Sequence, residues 1–167
     1  MKSTVFLQYI RGSGFVSVAL ILMLLLILAT ILHAQKRNIK FERFSIEQGL
    51  SQNTVNCIVQ DSRGFMWFGT QDGLNQYDGY RFTVFKHDPE NPNSLSDNFI
   101  YTIYEDKSGV LWIGTDGGGL NRFDREQEKF RVFKHEPTNS NSLSNDRVLS
   151  IFEDQTGVLW IGTDGAD

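Results

Sequence analysis

Asp61-Ser-Arg-Gly64-Phe-Met-Trp67-Phe-Gly-Thr70 returns twice, as Asp106-Lys-Ser-Gly109-Val-Leu-Trp112-Ile-Gly-Thr115 and Asp154-Gln-Thr-Gly157-Val-Leu-Trp160-Ile-Gly-Thr163, each copy followed shortly by Asp-Gly. The tryptophans stand 45 and 48 residues apart, a period of the kind that marks propeller blades or solenoid units. The chain is a repeat protein, and the period governs the fold before any single motif does.

Upstream of each aspartate the pattern runs in steps of three, through Val55 and Ile58, Ile100 and Ile103, Val148 and Ile151. These short segments are rich in β-branched residues and apolar at neighbouring positions, which predicts innermost strands covered on both faces. Asp-x-x-Gly then supplies a turn, and a second strand follows over Phe65 to Thr70, Val110 to Thr115 and Val158 to Thr163. A third strand is expected at Leu74 to Asp78 and Leu120 to Asp124, and a fourth at Phe82 to His87 and Phe130 to His135. Four strands per unit make a propeller blade. His87-Asp-Pro-x-Asn-x-Asn-Ser-Leu95-Ser and His135-Glu-Pro-x-Asn-x-Asn-Ser-Leu143-Ser are matching polar connectors between blades. No window sustains apolar spacing of three and four, and the Asp-Gly signals would interrupt a helix every ten residues or so.

The first 34 residues contain no acidic side chain, and Lys2 and Arg11 precede an apolar run from Phe15 to Leu32. This segment reads as a cleaved signal peptide or a retained membrane anchor. Without it the chain holds 14 basic and 20 acidic side chains, net −6 against −4 for the whole, which disfavours a nucleic-acid partner. Cys57 is the single cysteine and stands where the other units have Thr102 and Ser150, the place of a small core residue. The sequence stops at Asp164-Gly-Ala-Asp167, after the second strand of the third unit. Two and a half blades and an open edge are therefore expected, with residues 35–167 alone marginally stable or prone to aggregate.

Candidate chemistry is sparse. Asp61, Asp106 and Asp154 recur at one place in every unit, whereas a catalytic constellation is built once from different elements; turn chemistry is expected of them, and equally of Asp72, Asp116 and Asp164. Gly117-Gly118-Gly119 precedes no helix pattern and is expected to be a loose turn. His87 and His135 occupy equivalent positions at the connectors, which points to structure rather than phosphotransfer. The tryptophans are expected to pack between blades. No catalytic, cofactor or metal-binding residue is assigned from the sequence, and the ligand-binding residues remain unknown at this level.

The Gly-[Phe/Val]-[Met/Leu]-Trp-[Phe/Ile]-Gly-Thr-x-Asp-Gly units resemble two-component regulator propeller repeats. The opening Phe41-Glu-Arg-Phe-Ser-Ile-Glu-Gln-Gly-Leu50-Ser-Gln-Asn-Thr-Val55, with Gly73-Leu-Asn-Gln-Tyr-Asp-Gly79, is similar to the start of the periplasmic sensor region of Bacteroidetes hybrid two-component systems. The resemblance implies a periplasmic propeller that senses a small molecule, often an oligosaccharide, in a full-length protein that is homodimeric and carries a histidine kinase. It also implies that Phe41 to Ile46 is an outer strand closing the ring.

The expected organisation is thus an all-β propeller: residues 1–34 signal peptide or anchor, 35–53 a lead-in with the ring-closing strand, 54–98 blade 1, 99–145 blade 2, and 146–167 a truncated blade 3. The expected function is extracytoplasmic ligand sensing by the N-terminal fragment of a hybrid histidine kinase, not itself an enzyme and without a cofactor. Two other classes stand beside it, a sialidase-like propeller glycosidase and a secreted interaction scaffold. The arginines of the sequence show no arrangement that suggests the first, and the sequence leaves the second open.

Overall fold

The computed structural model describes residues 18–24 and 39–165. They fall in two compact units, Met1–Glu42 and Arg43–Asp167. In the first, residues 18–24 are helical and residues 39–42 irregular; the remainder of the leader, with its cleavage or anchoring, lies outside the described residues. Among the described residues no helix is long and apolar enough to cross a membrane.

The second unit opens on a 3-10 turn, Ile46–Gln48, capped by Ser45 and closed by Gly49 at φ 104°, a backbone state that glycine adopts without strain. Ten strands follow: β1 Val55–Gln60, β2 Met66–Thr70, β3 Gly73–Tyr77, β4 Phe82–Phe85, β5 Ile100–Glu105, β6 Leu111–Thr115, β7 Leu120–Asp124, β8 Lys129–Phe133, β9 Val148–Glu153 and β10 Leu159–Thr163. They form two antiparallel four-stranded sheets, β1-β2-β3-β4 and β5-β6-β7-β8, and the hairpin β9-β10. β1 packs against β5 and β5 against β9, so the first strand of each unit is the inner one. The set is open and does not close into a ring among the described residues.

The two junctions between units share one recipe. At the first, Trp67, Phe65, Cys57, Val59 and Phe85 of unit 1 meet Ile100, Ile103, Leu111, Ile113, Phe123 and Phe130 of unit 2. At the second, Trp112, Tyr104 and Phe133 meet Val148, Ile151, Leu159 and Ile161. Each unit therefore has a forward face centred on its tryptophan and a back face of aliphatic residues, interdigitated like other sheet-on-sheet cores.

Three expectations change. The first strands are covered only on the faces that meet another unit: Ile103 and Ile151, which face the preceding unit, are 5% and 9% exposed, but Ile58, at the same place in β1, is 56% exposed, and Phe152, on the other face of β9, is 60% exposed. Residues 41–45 form no strand, and Ile46 begins the 3-10 turn. The fourth strands end at Phe85 and Phe133 rather than at the histidines. There the backbone N–H of His87 turns to Asn98 Oδ1 (2.7 Å) and that of His135 to Asp146 Oδ1 (2.6 Å).

Candidate functional site

Each repeated aspartate is spent on its own turn. Asp61 Oδ1 accepts the N–H groups of Arg63 (3.0 Å) and Phe65 (2.9 Å), while Oδ2 accepts the Trp67 indole N–H at 2.7 Å. Asp106 repeats this with Ser108, Val110 and Trp112, and Asp154 with Thr156, Val158 and Trp160. The link from turn to tryptophan is what the Asp-x-x-Gly-x-x-Trp spacing encodes, and sequence reasoning saw only its turn half. Burial alone would push the Asp61 carboxyl up, but Trp67, Arg125 and the Phe65 amide outweigh it and hold it below the usual carboxylate range. For Asp106 burial is likewise overcome, here by Ser108, Trp112 and Val110. Thr156, Trp160 and the Val158 amide lower Asp154.

The histidines tie down the connectors, His87 Nδ1 against the Leu95 carbonyl at 2.8 Å and His135 Nδ1 against that of Leu143 at 2.6 Å. Trp67 is fully buried and Trp112 lies in the second junction, whereas Trp160 is 62% exposed. The Gly117-Gly118-Gly119 turn is tight rather than loose: Gly117 and Gly119 take φ 97° and 84°, and a β-carbon on Gly118 would stand 2.7 Å from both Asp97 Cβ and Thr115 Oγ1.

What remains for recognition is where the repeats differ from one another. In all three hairpins the first strand carries one unpaired residue, as the ladder steps from Val55 to Cys57, from Ile100 to Thr102 and from Val148 to Ser150. Bulges of this kind re-aim side chains and recur beside functional sites. The unpaired residues are Asn56, Tyr101 and Leu149, three chemistries at one equivalent position. Phe99 and Arg147, two residues before Tyr101 and Leu149, extend the set, and the Phe99 and Tyr101 rings lie 4.9 Å apart.

This end of the units also holds the Asp-Gly turns. Arg147 donates from Nη1 to Asp164 (2.6 Å) and from Nε to Asp116, and both carboxylates raise its already high pKa. Lys86 reaches Asp72 at 2.6 Å. The result is a polar rim with two half-buried aromatic rings and an exposed Leu149. Among the described residues no group of His, Cys, Asp or Glu is placed to hold a metal ion.

Inner strands, four-stranded antiparallel sheets and forward-to-back packing define a β-propeller built from Asp-x-x-Gly-x-x-Trp repeats. Residues 49–72, 94–117 and 142–165 match the family described as Two component regulator propeller, and the repeats of this chain are of that kind. The extracellular domain of a protein assigned as a hybrid two component system, from B. thetaiotaomicron, is 37% identical with a TM-score of 0.67 over 72% of this chain and 17% of its own. A second such domain from the same organism is 34% identical with a TM-score of 0.60, over 76% of this chain and 18% of its own. The histidine kinase P4 of Formosa agariphila is 44% identical over 68 residues, 41% of this chain and 5% of that protein. The chain thus spans a small part of the proteins it matches.

Proposed function

We propose that this chain is the ligand-sensing input piece of a two-component sensor, the N-terminal portion of a hybrid histidine kinase and not itself a catalyst. Its similarity to extracellular domains assigned to hybrid two-component systems supports that context. Residues 1–34 direct export, and the propeller stands on the periplasmic face of the inner membrane, dimeric when full length. The ligand is an oligosaccharide. The supporting observation is the bulged rim, where Tyr101 and Phe99 offer ring faces and Arg147, Asp116, Asp164 and Asn56 offer donors and acceptors. Sugar rings ask for that mixture of aromatic faces and convergent polar groups.

Titration calorimetry of the full-length protein against a panel of neutral and acidic oligosaccharides tests this. Binding that weakens at least about tenfold, some 1.4 kcal/mol, in both Tyr101→Ala and Arg147→Ala, with melting temperatures unchanged, supports it. Saccharide binding indifferent to both substitutions would move the site elsewhere. Cleavage of the sugars would favour a glycosidase, and protein partners with no saccharide bound would favour a scaffold.

A further inference from the structure

Arg147 stands on the rim with its charge already matched. Its Nε donates to Asp116 Oδ1 of unit 2, and its Nη1 donates to Asp164 Oδ2 of its own unit at 2.6 Å. One guanidinium against two carboxylates leaves this group with a net formal charge of −1.

The backbone beneath the group is fixed by rungs of its own. Asp116 N–H donates to the Phe99 carbonyl at 3.0 Å, Asp116 and Arg147 face each other as an antiparallel bridge, and Asp164 N–H donates to the Arg147 carbonyl at 3.0 Å. Phe99, Asp116, Arg147 and Asp164 are thus laced side by side, and the Phe99 ring lies 4.9 Å from that of Tyr101. Every one of these contacts is made inside or between units 2 and 3. Groups held on such a framework meet a ligand with little left to order, which is what a binding site requires.

The clamp is not part of the repeated scaffold. At the first junction Gln71 stands in the place of Asp116 and Phe99 in the place of Arg147, and that junction holds together without the ion pairs. The turn aspartates recur in every unit because every turn needs them, whereas Asp116-Arg147-Asp164 is made at the second junction and not at the first.

The hydrogen-bonding capacity left over defines what fits. A guanidinium carries five N–H donors, and the two carboxylates occupy Nε and one position on Nη1. Donors remain on Nη1 and Nη2, and Asp116 Oδ2 and Asp164 Oδ1 accept no hydrogen bond among the described residues. Donors and acceptors side by side suit hydroxyl groups, each of which both gives and receives a hydrogen bond. A neighbouring pair of hydroxyls can take an N–H from Arg147 while giving O–H to an aspartate. A carboxylate or sulfate on a sugar only accepts. It would reach the arginine donors at the expense of placing a negative charge against two others, and a misplaced like charge is a means by which sites reject the wrong ligand.

On the oligosaccharide reading of this rim, we propose that Asp116, Arg147 and Asp164 form a subsite for adjacent hydroxyls of a neutral sugar, beside the Phe99 and Tyr101 rings, and that it discriminates against uronic and sulfated sugars.

The test is titration calorimetry of the full-length protein against oligouronides of several linkage types and against the same oligosaccharides after chemical reduction of their carboxyl groups. Each pair shares linkage and chain length and differs in charge. The reduced member is expected to bind at least about tenfold more tightly, with the gap closing as salt is raised. Asp116→Asn and Asp164→Asn keep shape and remove one negative charge each, so each should improve uronide binding at least about threefold. Unchanged melting temperatures confirm the fold of the variants, and the comparison within each sugar pair uses the unaltered protein. A uronide bound as tightly as its reduced counterpart, or a gap that neither substitution narrows, would overturn the subsite while leaving saccharide sensing in place. Absence of all saccharide binding, or binding indifferent to Tyr101→Ala, would overturn the sensing reading and the subsite with it.

Discussion

The Asp61 carboxylate of the first unit lies 2.6 Å from the Arg125 guanidinium of the second, and both side chains are almost out of solvent, at 0% and 9% exposure. Arg125 holds Glu105 at 2.6 Å with its other terminal nitrogen, and Glu105 in turn receives Ser62. One arginine therefore couples the turn of unit 1 to the strand end of unit 2. Removing Asp61 leaves the indole N–H of Trp67 and one arm of a buried cation without partners. Asp61→Ala is expected to cost about 3–5 kcal/mol, the range for breaking a buried pair. Asp106→Ala has no arginine to strand and should cost about 1–3 kcal/mol. Urea unfolding of the two variants checks the order, and equal costs would deny the Arg125 link its role.

The same aspartates set the response to acid. Asp61, Asp106 and Asp154 are all held below the usual carboxylate range in the folded chain, while in the unfolded chain they titrate near pH ~3.9. Between those values the unfolded state binds more protons, so their stabilisation is complete above about pH 4 and is lost as pH falls through the folded values. Tryptophan emission in a fixed urea concentration should show little effect of these groups from about pH 5 to 7 and a steep loss below pH ~4. Asp106→Asn should flatten that acid limb, and an unchanged slope would contradict the assignment.

Gly69 and Gly114 stand where neighbouring strands approach too closely for a side chain. A β-carbon on Gly69 would lie 2.5 Å from Cys57 Sγ and 2.6 Å from Ile100 Cγ2, and one on Gly114 would lie 2.6 Å from Thr102 Cγ2 and 2.8 Å from the Val148 carbonyl oxygen. Gly69→Ala and Gly114→Ala are each expected to cost about 1–3 kcal/mol by overpacking. At Gly162 the close atom is the Ser150 hydroxyl, and the next neighbour is 3.7 Å away. A rotamer change relieves that contact, so Gly162→Ala should be the mildest of the three in thermal melts.

These glycines show how far the sequence could be read. Strand order and hairpins were legible because each depends on local signals repeated three times: Asp-x-x-Gly turns, β-branched runs and Asp-Gly. The glycine of Trp-x-Gly-Thr was visible as a pattern without a reason, since its reason is a side chain on the facing strand or the next unit. The bulged residues Asn56, Tyr101 and Leu149 were equally hidden, because a bulge is a property of pairing and the three share no residue type. Arg125 was silent for the same cause: it occurs once, in a turn, and its partners lie 64 and 20 residues away.

Cys57 faces the first junction, and burial pushes its thiol up to about 11 against weaker opposing contacts from the Gly69 and Ile103 backbone. At pH 8 it is a protonated core group, and the thiolate is the reactive form. A maleimide or disulfide reagent should modify it slowly in the native chain and rapidly in denaturant. Fast native labelling would show that the first junction opens.

Asn75 and Asn121 fasten the incoming connector of each full unit to its third strand, and both are fully buried. Asn75 Oδ1 accepts Ser51 N–H at 2.8 Å, and its Nδ2 donates to Ser51 Oγ at 2.8 Å and to the carbonyls of Gly73 and Phe68 at 3.2 and 3.3 Å. Asn121 Oδ1 accepts Ser96 N–H at 3.1 Å, and its Nδ2 donates to Ser96 Oγ at 2.7 Å. Asn75→Asp preserves shape and acceptor but turns a buried carboxylate oxygen toward two carbonyls. The expected cost at pH 7 is about 1–3 kcal/mol or more, and less at Asn121, whose amide donates to the Ser96 hydroxyl, a group that can turn its proton toward a carboxylate. The pH dependence separates this from a packing defect. A carboxyl desolvated among carbonyls has a raised folded pKa, so here the folded state binds the extra proton, and stability should recover as pH falls from 7 toward 5. That is opposite in sign to the acid limb set by Asp61. A pH-independent loss in Asn75→Asp would mean that volume, not the amide donors, holds the connector.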